Sequence, residues 1–308
     1  MRTATKNKNK FVLTLMFTII IILTLVVVVL VAALMKRPAE EIDPHEGQVY
    51  INDGFGMVWM TPLEGVDVNN ISQSDIVRYD GVPKYVGEGY ETLRGVDVSE
   101  HQYDIDWAAV AASGVDFAYI RLGYRGYTQG GLFEDAYFKA NIEGAKSNGI
   151  KVGVYFFSQA INVQEAIEEA DFVLERIEQY DIDLPVMYDW EKMEEAGADA
   201  RTYQLDTAIL DECAVAFCET VKKAGYEPGV YFNRYIGYYG FDLSRLNSYK
   251  FWLAVPGDFP DFYYAFDIWQ YSFEETIPGI ETPTDMNLMF IPKVHPSPSP
   301  SAEATPAA

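Results

Sequence analysis

The alternation of polar and apolar positions divides the chain into distinct regimes. Residues 11–35, FVLTLMFTIIIILTLVVVVLVAALM, are free of charge. Twenty-five such residues exceed the ~20 that span a bilayer and the roughly 7–15 of a secretory core. The preceding MRTATKNKNK has four basic residues and no acid. Basic flanks stay cytoplasmic, so residues 1–10 and 11–35 predict a cytoplasmic flank and a transmembrane signal anchor, with the chain after Lys36 outside. The competing reading is a signal peptide cleaved near VAA at 31–33. Residues 36–47 are polar and read as a linker. Residues 48–93 hold short strand-like runs around Asn52-Asp53-Gly54, a hairpin signal. They predict a small β-rich lead-in, either an appendage or an extension of the main domain.

From Arg94 to Ile291 the period alternates between strand and helix. Strand signals lie at 94–99, 117–122, 151–157, 184–191, 228–233, 250–255 and 266–272, with a last candidate at 285–290. Helical signals lie at 106–114, with an Asp start and a Gly stop, at 133–149, ending in Asn-Gly, and at 163–180 and 204–225. Repeated β-α order implies parallel strands. About eight strands over 94–291 predict an α/β fold, an irregular TIM-like β/α barrel with full helices mainly in its first five units. A doubly wound open sheet is the alternative, but no G-x-G-x-x-G follows the first strand. The end of the chain, 292–308, is rich in Pro, Ser and Ala and is expected to be disordered.

Composition narrows the chemistry. A net charge of −23 and 46 acidic against 23 basic residues argue against nucleic acid as a partner. Cys213 and Cys218 lie five apart in a helical segment, and His45, His101 and His295 are scattered, so no metal-ligand spacing occurs and no metal or cofactor is expected. A monomer is expected.

The segment PVMYDWE, 185–191, ends an apolar strand in two carboxylates. Residues i and i+2 of a strand share one face, roughly 6–7 Å apart. Asp189 and Glu191 therefore point together, at the strand end that carries active sites in parallel α/β folds. Asp97 with Ser99, and Asp285 with Asn287, repeat the arrangement on the first and last strands. Aromatic residues at other strand ends, Tyr155, Phe157, Tyr231, Trp269 and Tyr271, could line the same mouth. Strand-end aspartates also cap helices, so any one of them has a structural explanation. Acids clustered without Lys or His suggest glycoside hydrolysis, which needs one protonated carboxyl and one carboxylate. Mutual repulsion helps keep one protonated. A divalent-cation site built of carboxylate oxygens is the alternative from spacing alone.

The blocks RGVDVSEHQYDIDWAAVAASGVDFAYIRLGY, FEDAYFKANIEGAKSNGIKVGVYFFSQA, LPVMYDWE and FDIWQYS…DMNL resemble, in order, the family 25 glycoside hydrolase lysozymes over about residues 94–291. The resemblance implies an irregular β/α barrel and an N-acetylmuramidase cutting the β-1,4 bond between N-acetylmuramic acid and N-acetylglucosamine in peptidoglycan glycan strands. It implies Glu191 as general acid and Asp189 as the carboxylate that steers the substrate's acetamido group. Asp97 and Asp285 would orient substrate and tune charge, and Gln102 and Tyr155 would line the cleft, with Trp269 and Asn287 as supporting candidates. The chain departs from the family in RLGYRG at 121–126, in YFFSQ at 155–159 and in the loop after WQYS, while the four acids stay in place. A membrane-tethered, glycan-binding pseudoenzyme in wall assembly is the alternative function. A metal-dependent deacetylase would need clustered histidines.

Overall fold

The computed structural model describes residues 2–35, 43–193 and 196–293. It divides into two compact units, residues 1–48 and 49–308. In the first, helix α1 (Arg2–Met35) contains the stretch Lys10–Ala33, with 24 residues and a mean hydropathy of 3.3. That is long and apolar enough to cross a membrane. Most of the expected linker and the Pro/Ser/Ala tail lie outside the described residues.

The second unit is a closed barrel. Its strands are β5 (Tyr90–Val98), β6 (Phe117–Arg125), β8 (Lys151–Ser158), β9 (Val186–Trp190), β10 (Pro228–Asn233), β11 (Lys250–Ala254), β12 (Ile268–Glu275) and β13 (Thr284–Pro292), and β5–β6 pairing closes the ring. The first seven of these barrel strands run parallel, but β13 is antiparallel to both β12 and β5. The all-parallel reading fails at this strand. The turn Glu281–Pro283 that precedes it is at the active mouth, and the chain returns downward.

Helix α2 (Trp107–Ala112) starts where Asp106 Oδ1 accepts from the Ala108 and Ala109 amides, both at 3.1 Å. Helix α4 (Val163–Ile177) is capped by Asn162 and buries Ala166, Glu169, Ala170, Val173 and Ile177, one face at helical spacing. Helix α5 (Thr207–Lys223), capped by Asp206, buries Leu210, Ala214, Phe217 and Val221 together with the free thiols of Cys213 and Cys218. Helix α3 (Phe138–Ser147) is shorter than its pattern suggests. Leu132–Glu134 form instead a short strand, β7, on the free edge of β6. The reason is tertiary: the buried Asp135 carboxylate binds Arg121 Nε at 2.7 Å and the Glu100 amide at 3.0 Å, which pins the chain before the helix starts. After β10 a turn of π-helix (Ile236–Gly240) and the short α6 (Leu243–Leu246) replace a full helix.

The lead-in forms two hairpins, β1 (Val49–Asn52) with β2 (Met57–Met60), and β3 (Ile76–Tyr79) with β4 (Val82–Tyr85). Gly54, at φ +99°, makes the first turn at the predicted Asn-Asp-Gly. Both belong to the barrel's compact unit. The Asn69 backbone amide donates to the Tyr263 carbonyl (2.9 Å), and the Tyr264 hydroxyl accepts from the Leu63 amide (2.8 Å). The lead-in covers residues 233–266, where the outer helices are short.

Two cores result. The outer one lies between strands and helices. The inner one fills the barrel with Phe117, Tyr119, Met187, Tyr231, Trp252, Ile268 and Met289. Gly95 and Gly153 make room for it: a Cβ at either would come within 2.2 Å of the Phe117 ring or 2.4 Å of the Tyr119 ring. The stacked Tyr119–Trp252 pair, centroids 4.7 Å apart, closes the interior below the functional mouth.

Candidate active site

Period-2 alternation sends Asp97, Arg121, Tyr155, Asp189, Tyr231, Trp252, Gln270 and Asp285 inward from seven parallel strands and one antiparallel strand. They line a pocket of about 210 Å³ with Ser99, His101, Gln102, Phe157 and Glu191. Asp97 lies directly opposite Asp285 in the β5–β13 register. Because β13 is reversed, Asp285 near its N-terminal end reaches the same mouth as the C-terminal ends of the parallel strands. Parallel pairing would have sent it to the opposite mouth.

Below the acids is a hydrogen-bonded floor. Asn287 Nδ2 donates to Asp97 Oδ2 (2.7 Å), and its Oδ1 accepts from Trp252 Nε1 (2.7 Å). Gln270 Nε2 donates to Asp97 Oδ2 (2.9 Å) and Asp285 Oδ2 (3.3 Å), and its Oε1 accepts from the Tyr231 hydroxyl (3.0 Å). Asn287 is fully buried and supports the site from beneath. Gln102 closes a cap after β5: its Oε1 accepts from the Ser99 amide (2.9 Å) and its Nε2 donates to the Pro283 carbonyl (3.4 Å). Behind Glu191, the buried Gln159 donates to the Glu191 carbonyl (3.0 Å) and accepts from the Thr202 hydroxyl (2.7 Å), which holds the backbone just past β9.

Burial raises every acid in the cluster. Asp97 is pushed up to about 6 by desolvation, with the amides of Asn287 and Gln270 holding the shift back. Asp285 rises to about 8, from burial and then from the charge on Asp97, so Asp285 holds a proton and bonds the Asp97 carboxylate. Asp189 lies well above the usual carboxylate range, from burial first and then the charges of Glu191 and Asp97. Its Oδ1 is buried without a hydrogen-bond partner among the described residues. Glu191 is also raised by burial and by Asp97, with the Tyr231 hydroxyl pulling the other way. Arg121 is the cation facing the cluster, but it is already paired with Asp135 (2.7 Å) and Glu100 (3.0 Å). Little positive charge is left to hold several carboxylates ionised, so the pocket retains protons near neutral pH.

The structure brings together Asp97, Gln102, Tyr155, Asp189, Glu191 and Asp285, with Asn287 beneath them. Trp269 is not among them. It is fully buried on the outer face of β12, where its Nε1 donates to the Val255 carbonyl (2.8 Å), and Tyr271 shares that face. Both faces of β12 are apolar and covered, so alternation alone does not say which parity points inward. The signal was Gln270, a polar side chain within a buried strand. Trp252, in the pocket lining, is the aromatic that sequence reasoning missed.

The model of "Glycosyl hydrolases family 25" matches residues 96–280, more than half of the chain. The chain belongs to glycosyl hydrolases family 25. It is thus a glycoside hydrolase of the lysozyme family, as the resemblance implied. It is 28% identical over 210 residues to Lysozyme M1 of Streptomyces globisporus, covering 63% of this chain and 67% of that protein. Among solved structures it is similar to the modular autolysin LytC of Streptococcus pneumoniae in complex with a synthetic peptidoglycan ligand. That match has a TM-score of 0.57 at 26% identity, over 79% of this chain, and spans only 56% of the LytC chain. A bacterial lysozyme from Streptomyces coelicolor shares the fold with a TM-score of 0.52 at 24% identity, over 63% of this chain and 90% of that one.

Proposed function

We propose that this family 25 enzyme is a peptidoglycan hydrolase that cleaves the β-1,4 bond between N-acetylmuramic acid and N-acetylglucosamine. The observation that carries the reading is the convergence of Asp189 and Glu191 with Asp97 and Asp285 on one pocket that has little free positive charge. Glu191, at the pocket rim and raised by burial and then by the charge of Asp97, acts as the general acid on the leaving oxygen. The buried, unpartnered Asp189 Oδ1 suits the N–H of the substrate's acetamido group. That hydrogen bond would favour ionised Asp189 and leave the remaining proton on Glu191. It would also orient the acetamido oxygen toward the anomeric carbon, so that the substrate's own group assists departure. Asp97 and Asp285, sharing a proton over Gln270 and Asn287, orient the ring and add negative potential where positive charge develops.

The apolar helix at residues 10–33 supports a signal anchor that keeps the enzyme outside the membrane and beside the wall. Recovery of mature protein from the medium, beginning near residue 34, would exclude it.

The test is digestion of purified peptidoglycan by the full chain beside Glu191→Gln, with new reducing ends identified by mass spectrometry after borohydride reduction. Reduced muramic acid ends are expected from the wild type and not from the variant. Equal release by both removes Glu191 from the chemistry.

A further inference from the structure

The acidic pocket, about 210 Å³, does not end at Glu191. Glu191 and Tyr231 also line a second, larger groove of about 550 Å³. Its far wall is not part of the barrel. It is the tip of the β1–β2 hairpin, Asn52 to Phe55, which lies outside the family match at residues 96–280.

The tip is tied to the barrel by polar contacts. Asp53 Oδ2 accepts from the Tyr239 hydroxyl (2.9 Å), and Asp53 Oδ1 accepts from the Phe55 and Gly56 amides (2.9 and 3.0 Å). Arg234 Nη1 donates to the Asn52 carbonyl (3.3 Å), and Asn52 Nδ2 donates to Asp261 (3.0 Å). This anchoring holds an apolar side chain outward: Phe55 is 85% exposed, and its ring meets Tyr235 edge-on, centroids 5.7 Å apart. Tyr235 is 49% exposed, and Phe273 across the groove 44%. Phe55 at the tip of a hairpin fixed by half-buried hydrogen bonds, Tyr235 just after β10 in contact with it, and Phe273 on β12 make a built apolar surface rather than scattered exposure.

We infer that the β1–β2 hairpin and Tyr235 form an aromatic subsite for the leaving-group side of the glycan strand. This rests on the muramidase reading, which places the sugar that loses its bond in the acidic pocket. The groove begins at the acid that protonates the leaving oxygen, so the ring carrying that oxygen must exit past Glu191, toward Phe55 and Tyr235. The volume exceeds that of the acidic pocket and suits at least one further ring, whose flat C–H face would lie on the aromatic pair. The lead-in is therefore a piece of the substrate site that makes the enzyme prefer long strands.

The test compares the full-chain wild type with Phe55→Ala, Phe55→Tyr and Tyr235→Ala on glycan oligomers lengthened only on the leaving-group side. Wild type should gain in kcat/KM with each added sugar that reaches the groove. Phe55→Ala and Tyr235→Ala should lose roughly five- to tenfold of that gain, the size of one lost aromatic face, while Phe55→Tyr keeps it. Phe55 is exposed, so its replacement should leave the melting temperature unchanged. The same proteins are titrated with a borohydride-reduced oligomer to measure binding alone. A length gain equal in wild type and Phe55→Ala overturns the subsite. If wild type cleaves nothing yet Phe55→Ala weakens oligomer binding by that factor, the subsite stands and the muramidase reading falls.

Discussion

Replacing Asn287 by leucine tests the floor under the acids. The side chain is fully buried and makes two bonds of 2.7 Å, one donated to Asp97 and one accepted from Trp252 Nε1. Leucine has a similar shape and makes neither. The Trp252 N–H is then buried without a partner, at a cost of about 1–3 kcal/mol that does not depend on pH. The Asp97 contribution does. In the wild type Asp97 ionises at about 6, above its unfolded value of 3.8, so its neutral form favours folding at low pH and that stability is lost as pH rises through 6. The Asn287 amide favours the ionised form. Without it, the folded value moves higher and the loss continues above pH 6, at about 1.4 kcal/mol per pH unit until the new value is reached. Asp97 and Asp285 titrate together, so this step is the first ionisation of the pair. The variant should be destabilised by about 1–3 kcal/mol at pH 5 and by up to ~2 kcal/mol more at pH 7.5. Urea unfolding of the unit from Val49 onward, with a slope of ~2–3 kcal/mol per molar, should show a midpoint deficit up to ~0.7–1 M larger at pH 7.5 than at pH 5. The same deficit at both pH values would refute the coupling between Asn287 and the Asp97 charge.

Activity should fall on the alkaline side as Glu191 loses its proton, at a pH above that of an ordinary glutamate because its value is raised; a rate that climbs steadily through pH 9 contradicts its role. Trp269→Phe should cost stability, about 1–2 kcal/mol for the lost bond to Val255 and some packing, but leave kcat/KM on peptidoglycan within about twofold, since the ring faces away from the pocket. Arg125→Met should cost about 3–5 kcal/mol in urea unfolding near pH 9, where Glu169 is ionised in the wild type, because it leaves this fully buried carboxylate, held at 2.7 Å, without its cation. That loss should shrink below pH 7, where Glu169, raised to about 7 by burial, is neutral.

The anchor-length apolar helix, the α/β order, the helix start at Asp106, and the shared face of Asp189 and Glu191 were all legible in the sequence. Each depends on local chemistry: residue period, a side-chain oxygen before an apolar run, or the two-residue repeat of a strand. The tertiary structure decided the rest. It reversed β13, which brings Asp285 opposite Asp97, and it turned Trp269 outward and Gln270 inward. Parity is weakly marked in a strand whose two faces are both buried, because the hydrophobic pattern that normally sets it is nearly the same on each side and only Gln270 breaks it; direction follows from the connection, and the loop from Glu275 to Thr284 is too short for a parallel crossover. It also folded residues 49–85 onto the barrel and put Phe55 beside Glu191, more than a hundred residues away in sequence. Such long-range contacts come from packing against the short-helix side of the barrel, and no local pattern encodes them.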